Sequence, residues 1–410
     1  MSKKENYPFF VRAFYRSYQT VYRVASYFLI WREPEVLEGK DSIKRIPLIL
    51  QKKKKKVALI VTDERICQLG LIDDLLSAFK EVNMSYVLYN KTVPNPTFDN
   101  VEEAYIMYKE NHCDCLVAMG GGSPMDCAKG VGIRVARPRT PLLKMNGIEK
   151  VLKRIPFLVA VPTTAGTGSE ATIAAVLTDA KTKAKYPISD LVLLPRLAIL
   201  DPTLTVGLPP LITATTGLDA LTHAVEAFIG RSNTKKTKAY AKEAIGIIDQ
   251  YLVRAYTQPD DLEAREKMLY AAMRAGMAFT RAYVGYVHAI AHALGGLYGI
   301  PHGLANSVLL PVVLESYGDA IYYPLSQLSD SLQLAVGKTE QEKAEAFIRY
   351  VREINKKLDI PTGFTQIKEE DIEKIRKRAL EEAHPIYPVP RLLGPKEIED
   401  IIRQVKQEEE

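Results

Sequence analysis

Five side chains in the second half of the chain have the types and spacing of a metal site. Asp219 and His223 are four apart in Gly217-Leu218-Asp219-Ala220-Leu221-Thr222-His223-Ala224. His288 and His292 are four apart in His288-Ala289-Ile290-Ala291-His292, and His302 follows in Ile300-Pro301-His302-Gly303. Residues four apart share one face of a helix. One carboxylate and several imidazoles suit a divalent transition metal. A lone histidine on an apolar helix is more often a satisfied core residue. Two such pairs and a further histidine segment, in a chain with only six histidines, are not accounted for that way. The nearest cysteine is Cys127, so a cysteine-based zinc site is excluded. Spacing alone leaves open whether His288, His292 or both touch the metal.

Two loops could take phosphate. Gly120-Gly121-Gly122-Ser123-Pro124 follows an apolar run and precedes a helical one. Glycines there let backbone N–H groups approach an anion, Pro124 suits a first helical turn, and the helix N-terminus favours negative charge. Alone this is a weak signal, being neither G-x-G-x-x-G nor a P-loop. A second small, hydroxyl-rich loop, Thr163-Thr164-Ala165-Gly166-Thr167-Gly168-Ser169-Glu170, also follows an apolar run. Two such loops at one end of adjacent strands form the crevice where α/β sheets bind dinucleotides. Asp63 ends an earlier strand at the same edge. Its carboxylate either accepts from a ribose 2′-hydroxyl, repelling a 2′-phosphate, or caps the next helix.

The elements that must position these groups follow from the pattern. From 57 to about 205, strand-like runs (Val57–Thr62, Ser85–Tyr89, Cys115–Met119, Pro156–Val161) alternate with helical ones, which predicts a parallel sheet with helices on both faces. From about 210 onward helical periods dominate, as in Thr237–Arg254, Glu263–Phe279, Gln341–Leu358 and Asp371–Ala383. The expected division is an N-terminal arm over 1–32, a dinucleotide-binding α/β domain over 33–205 and a helical metal-binding domain over 206–410. A dinucleotide on one domain and a metal on the other, with a cleft between, suit hydride transfer at an alcohol or aldehyde carbon.

Of 410 residues, 47% are apolar and 25% charged, which excludes a disordered or fibrous chain. The net charge of +6 is unevenly placed: residues 1–56 hold 14 Lys and Arg against 5 Asp and Glu, and the remainder hold 41 against 44. The body is therefore mildly acidic, and no nucleic-acid partner is expected. Four cysteines in a chain this long make no disulfide framework, and Val24–Trp31 is too short to span a bilayer, so a cytoplasmic protein is expected.

Residues 1–32 stand apart, with 10 of the 34 aromatic residues. At 100° per residue, Phe10, Phe14, Tyr18, Val21, Ala25 and Phe28 form one stripe about 80° wide, with Arg12, Arg16 and Arg23 opposite. This basic amphipathic helix could lie on a membrane surface. The favoured expectation is the plainer one, that the stripe packs on the protein's own body or on a second subunit.

With its motifs assembled, the chain resembles the iron-containing (group III) alcohol dehydrogenase family. The motifs, in order, are GGGSPMDCAK (120–129), PTTAGTGSE (162–170), LDPTLT (200–205), TGLDALTHAVEAF (216–228) and VHAIAHALGGLYGIPHG (287–303). The resemblance covers about 57–405. It implies a Rossmann-like domain followed by an all-α domain, the two-domain architecture of dehydroquinate synthase, and a homodimer. Asp219, His223, His288 and His302 match the metal ligands, and His292 a non-ligand histidine near the metal, suited to proton relay or to hydrogen bonding. Gly121, Gly122, Ser123, Thr163 and Thr164 match contacts to the cofactor's pyrophosphate and nicotinamide sides. Asp63 matches the acidic residue favouring NAD over NADP, and Asn95 and Lys185 match lesser cofactor contacts. The implied activity is an NAD(H)-linked alcohol dehydrogenase or aldehyde reductase using Fe2+, or Zn2+ in its place, on a small primary alcohol or aldehyde. Glycerol dehydrogenase-like polyol oxidation and a non-catalytic membrane-associated scaffold are the alternatives.

Departures from the family pattern are the extra residues 1–32, Glu38-Gly39-Lys40 in place of a glycine-rich turn, Arg281 where Asn is common, and Tyr283 and Tyr286 in place of smaller residues. The last three fall near the expected substrate pocket. Arg281 is expected either to meet a substrate carboxylate or to make a structural ion pair, the second being favoured.

Overall fold

A computed structural model describes residues 7–182 and 184–408; residues 1–6 of the arm lie outside the described residues. The chain divides into two compact units. One comprises Trp31–Leu208 and Asp260–Gly276, and the other Met1–Ile30, Pro209–Pro259 and Met277–Glu410. The division therefore differs from a single boundary near 205. The start of the helix Leu262–Ala282 goes with the α/β unit, where Gly276 lies against the backbone of Gly168.

The α/β unit is built on strands β1 (Glu35–Glu38), β2 (Val57–Val61), β3 (Ser85–Tyr89), β4 (Cys115–Gly120), β5 (Gly147–Ile148), β6 (Phe157–Pro162), β7 (Ala174–Thr178), β8 (Lys185–Ser189) and β9 (Leu197–Leu200). Six form one parallel sheet in the order β1-β9-β6-β4-β2-β3. These strands read as near-continuous apolar runs because both faces are covered. Alternate residues go to opposite sides. Leu59, Val61, Leu116, Ala118, Leu158 and Ala160 join one core cluster, and Ala58, Ile60, Val117, Met119, Val159 and Val161 the other. A small sheet, β5-β8-β7, with β7 and β8 antiparallel, is an addition the alternating pattern did not predict. From β2 the chain moves to β3 on one side and then back to β4 on the other, so the sheet's direction reverses between β2 and β4. Crevices form outside the strand ends at such a reversal.

The helical unit carries the arm helix, α1 (Phe9–Ser26), with the helices of the α/β unit intervening in sequence: α2 (Ile46–Lys52), α3 (Glu64–Gln68), α4 (Asp73–Glu81), α5 (Phe98–Glu110) and α6 (Gly122–Ala136). It continues with α7 (Pro210–Ile229), α8 (Lys235–Thr257), the end of α9 (Leu262–Ala282), α10 (Tyr286–Tyr298), α11 (His302–Tyr317), α12 (Tyr322–Ser331), α13 (Glu340–Lys357), α14 (Ile372–Ala383) and α15 (Pro395–Gln404). Nearly all of α7 from Thr213 onward is buried, as expected of a helix apolar on every side.

The arm docks on its own body, but not by the face expected. Its polar side, not its aromatic stripe, meets the body. Gln19 is the buried residue of α1 and donates from Nε2 to the carbonyls of Pro385 (3.2 Å) and Tyr387 (2.8 Å). Arg16 donates to the carbonyls of Val389 (2.8 Å) and Pro390 (3.1 Å), and the Tyr15 ring stacks on His384 at 4.6 Å. Phe10, Phe14, Val21 and Phe28 are exposed. The physical reason is the docking segment itself. Residues 385–390 offer a row of backbone carbonyls, which only donors can satisfy.

Candidate active site

At the nucleotide end, a cavity of about 740 Å³ opens at the carboxyl ends of β2, β3 and β4, lined by Asp63–Arg65, Asn90–Pro94 and Gly121–Pro124 among others. The turn after β4 requires glycine at Gly120, whose φ is +146° and where a Cβ would stand 2.6 Å from Pro124 Cγ. Ser123 Oγ accepts from the Asn95 N–H at 3.3 Å, which links the turn to the β3 side. Thr163 donates its N–H to the Gly120 carbonyl at 3.0 Å, and a Cβ on Gly121 would lie 3.5 Å from Thr164 Oγ1. The two loops read from the sequence are thus brought together.

Asp63 caps the next helix, as one of its two sequence readings expects. One oxygen caps α3 by accepting from the Ile66 N–H at 2.9 Å, and the residue also lines the cavity. Lys129 is buried and holds the second loop to α6 by donating to the Ser169 carbonyl, Ser169 Oγ, Thr172 Oγ1 and the Ala174 carbonyl. Burial draws it down to about 8, opposed by Asp126 and Glu170. Lys185, on β8, helps keep the carboxyl of buried Asp126 from rising further than about 6, the level to which burial drives it.

In the helical unit, α7 presents Thr215, Asp219 and His223 at intervals of four, one helical stripe. His288 comes from the first turn of α10 and His302 opens α11. One ligand atom from each of Asp219, His223, His288 and His302 can be chosen so that all lie within 4.8 Å of one another. The first three are buried and His302 partly so. The His223 ring stacks between Phe279 (4.2 Å) and His288 (4.6 Å).

Glu226, one turn beyond His223, orients His288. Its carboxylate meets His288 Nδ1 at 2.6 Å and accepts the N–H groups of Gly285 (2.8 Å) and Val287 (2.9 Å). That contact leaves Nε2 of His288 as the coordinating atom, the usual arrangement for a metal-binding imidazole. Burial pushes Glu226 up to about 8, and holds His288 well below the usual histidine range, helped by His223, His302 and His292. The neutral imidazole is the form that binds a metal.

Asn306, one turn after His302, donates from Nδ2 to Asp219 Oδ1 (2.7 Å) and lies 3.1 Å from His302 Nε2 and 3.3 Å from His288 Nε2. Three lone-pair-bearing atoms therefore converge on one point, the chemistry a divalent cation would satisfy. The donor set fits the metal that the sequence motifs imply.

His292 stands beside this cluster, its ring stacked 5.0 Å from that of His302. Its Nδ1 lies 2.6 Å from Glu382 Oε1, and Glu382 accepts from Tyr387 OH at 2.7 Å. Glu226, Asn306, Glu382 and Tyr387 were not found from the sequence. Helical spacing from His223 and His302 could have flagged the first two. Glu382 and Tyr387 are brought in from 90 and 95 residues away, with no local signal.

Tyr286 is fully buried, its hydroxyl meeting His384 Nε2 (2.9 Å) and the Leu393 N–H (3.1 Å). Tyr283 turns the chain between α9 and α10 with φ +65°. Arg281 sets its guanidinium over the ring of Tyr27, 5.4 Å from the centroid.

A parallel sheet with a nucleotide-sized crevice, joined in one chain to a helical unit carrying a cluster of one aspartate and three histidines, defines a class: a metal-binding dehydrogenase of two units. Residues 34–202 match the iron-containing alcohol dehydrogenase family and residues 213–405 the C-terminal domain of Fe-containing alcohol dehydrogenases, and the chain belongs to this family. Among its relatives, the 1,3-propanediol dehydrogenase of Citrobacter freundii is 40% identical over 354 residues, 85% of this chain and 91% of that one. The NAD-dependent methanol dehydrogenase of Bacillus methanolicus is 37% identical over 352 residues, 85% of this chain and 92% of that one. A crystal structure of a 1,3-propanediol oxidoreductase superposes with a TM-score of 0.88 at 37% identity, covering 92% of this chain and 99% of its own.

Proposed function

We propose that the chain is an NAD(H)-linked alcohol dehydrogenase and aldehyde reductase for small primary alcohols, with Fe2+, or Zn2+ in its place, held by Asp219, His223, His288 and His302. The observation that carries this reading is the convergence of those four ligand atoms within 4.8 Å. A divalent cation there would draw electron density from the alcohol oxygen, lowering its pKa and easing loss of hydride from the adjacent carbon to the nicotinamide. The chain's own residues do the rest. The backbone of Gly121 and Gly122 and the hydroxyl of Ser123 hold the pyrophosphate. Thr163 and Thr164 orient the nicotinamide side, and Asn95 and Lys185 make further cofactor contacts. Glu226 keeps His288 in its neutral, coordinating tautomer. Glu382 fixes His292 through Nδ1, leaving Nε2 to take and return the alcohol proton. All four cysteines are free, in keeping with a reducing cytoplasm; a homodimer is the expected assembly.

The test is NADH oxidation with a short-chain aldehyde before and after chelation. Turnover should fall below a tenth on metal removal and return on adding Fe2+ or Zn2+. Turnover indifferent to a chelator that strips the metal would exclude the reading.

Cofactor choice tests Asp63 separately. Its carboxylate at the cavity should repel a 2′-phosphate. Asp63→Gly is expected to shift the NAD-over-NADP ratio of kcat/KM toward NADP by about tenfold or more, since one charge contact of about 1.4 kcal/mol is worth that factor. An unchanged ratio would remove Asp63 from the ribose site.

A further inference from the structure

We propose that α1 is a membrane-surface anchor that lays its aromatic stripe on an anionic lipid bilayer. Eight of the eighteen exposed large hydrophobic side chains among the described residues fall within Phe9–Ile30, so the exposure is a property of this segment rather than scatter. Phe10 and Phe28 are each 82% exposed, Phe14 59% and Val21 67%. At 100° per residue Phe10, Phe14, Val21 and Ala25 lie within about 60° of one another, and Gln19 lies opposite. That run holds no charged residue, and Phe28 and Ile30 extend the exposed apolar surface past the helix end, with Ile30 89% exposed.

The stripe cannot turn inward. Arg16 and Gln19 are committed to the carbonyls of residues 385–390, and Tyr15 to His384. Rolling the helix to bury its phenylalanines would break these bonds and leave buried carbonyls unsatisfied. Among the described residues the stripe is therefore held outward, where it is available to a partner surface.

Charge and area select the occupant. Residues 1–30 carry Lys3, Lys4, Arg12, Arg16 and Arg23 against Glu5 alone. Anionic headgroups attract this charge, and a basic face opposite an apolar one is the pattern of helices that lie in the headgroup region. Arg12 and Arg23 are exposed, with stems long enough to reach toward headgroups. The three phenylalanines and Val21 present on the order of 500 Å². That is below the roughly 800 Å² per partner of a stable protein interface, yet ample for a helix lying in the headgroup region. No helix among the described residues is long and apolar enough to cross a membrane, so attachment is to the surface.

The experiment is flotation of the full chain with phosphatidylglycerol-containing vesicles and with neutral phosphatidylcholine vesicles. A second arm uses the triple variant Phe10→Ser, Phe14→Ser, Phe28→Ser, with aldehyde reduction as the check that the body is intact. The wild type should float with anionic vesicles, bind neutral ones at least tenfold more weakly, and be released in part by salt. The triple variant should lose at least tenfold in binding and keep its turnover. A wild type that stays in the soluble fraction, or a variant that floats equally, overturns the anchor. So does a wild-type oligomer that dissociates in the triple variant without any vesicle binding, which would assign the stripe to a second copy.

Discussion

His302→Ala is expected to lose its metal and to reduce turnover by about a thousandfold, roughly 4 kcal/mol of transition-state stabilisation. The reason for choosing this residue is where it sits. Asp219, His223 and His288 are buried, so their removal would confound loss of metal with loss of fold. His302 opens α11, its side chain is 33% exposed, and its Nε2 lies 3.6 Å from Asp219 Oδ1. Truncating it removes one ligand and little core. His292→Ala is the companion. Its Nδ1 is taken up by Glu382 at 2.6 Å, and its place in the reading is to move a proton. It should keep stoichiometric metal and lose about a hundredfold in turnover, within the range of general acid–base catalysis. Metal analysis of the two purified variants, with NADH oxidation beside it, separates the roles. Stoichiometric metal in His302→Ala would refute the ligand assignment, and loss of metal in His292→Ala would make that histidine a ligand.

The parallel sheet was legible because the chemistry of burial leaves a mark on composition. Strands covered on both faces, such as Cys115–Gly120, are apolar at every position, and the glycine and threonine turns that end β4 and β6 are local signals. The metal cluster was legible for a similar reason: Asp219 and His223 lie on one helix face and are recorded in sequence spacing. Glu382 and Tyr387 were not legible. They reach His292 through the tertiary path of α14 and the segment after it, and no spacing rule connects positions 292, 382 and 387.

The arm shows a different limit. Its periodicity identified the helix and its two faces, yet amphipathicity says only that the faces differ. Which face turns inward depends on the surface it meets. That surface, the carbonyl row from Pro385 to Pro390, is 366 to 374 residues distant in the hydrogen bonds that define it. The same contacts adjoin the support of His292, because Gln19 bonds the backbone of Tyr387, whose hydroxyl holds Glu382. The phenylalanines point away from this chain of contacts, which is why their replacement in the vesicle experiment should leave turnover intact.

Gly303→Ala should cost about as much function as His292→Ala, although the residue bears no reactive group. A Cβ on Gly303 would stand 2.5 Å from the Thr215 carbonyl oxygen and 3.5 Å from Asp219 Cβ. Thr215 is in the body of α7, so the obstacle is backbone held by helix hydrogen bonds and cannot swing aside as a side chain could. To restore an ordinary contact of about 3.5 Å, α11 and α7 must part by roughly 1 Å. That separation acts directly on the site, because α11 brings His302 and Asn306 and α7 brings Asp219 and His223. It would lengthen the 2.7 Å bond from Asn306 to Asp219 and pull His302 away from its partners. Overpacking of this kind costs about 1–3 kcal/mol of stability, and misplacement by about 1 Å costs about a hundredfold in rate. Metal affinity should weaken at least tenfold in the same variant. Gly246→Ala is the control: it lies in α8 of the same unit with nothing within 4 Å of its added methyl, and should leave the protein as stable as before or up to about 1 kcal/mol more so. Denaturant melts and metal titrations of the two variants decide the matter, and a Gly303→Ala protein with wild-type metal affinity and turnover would show that the close approach of α11 to α7 does not set the geometry of the site.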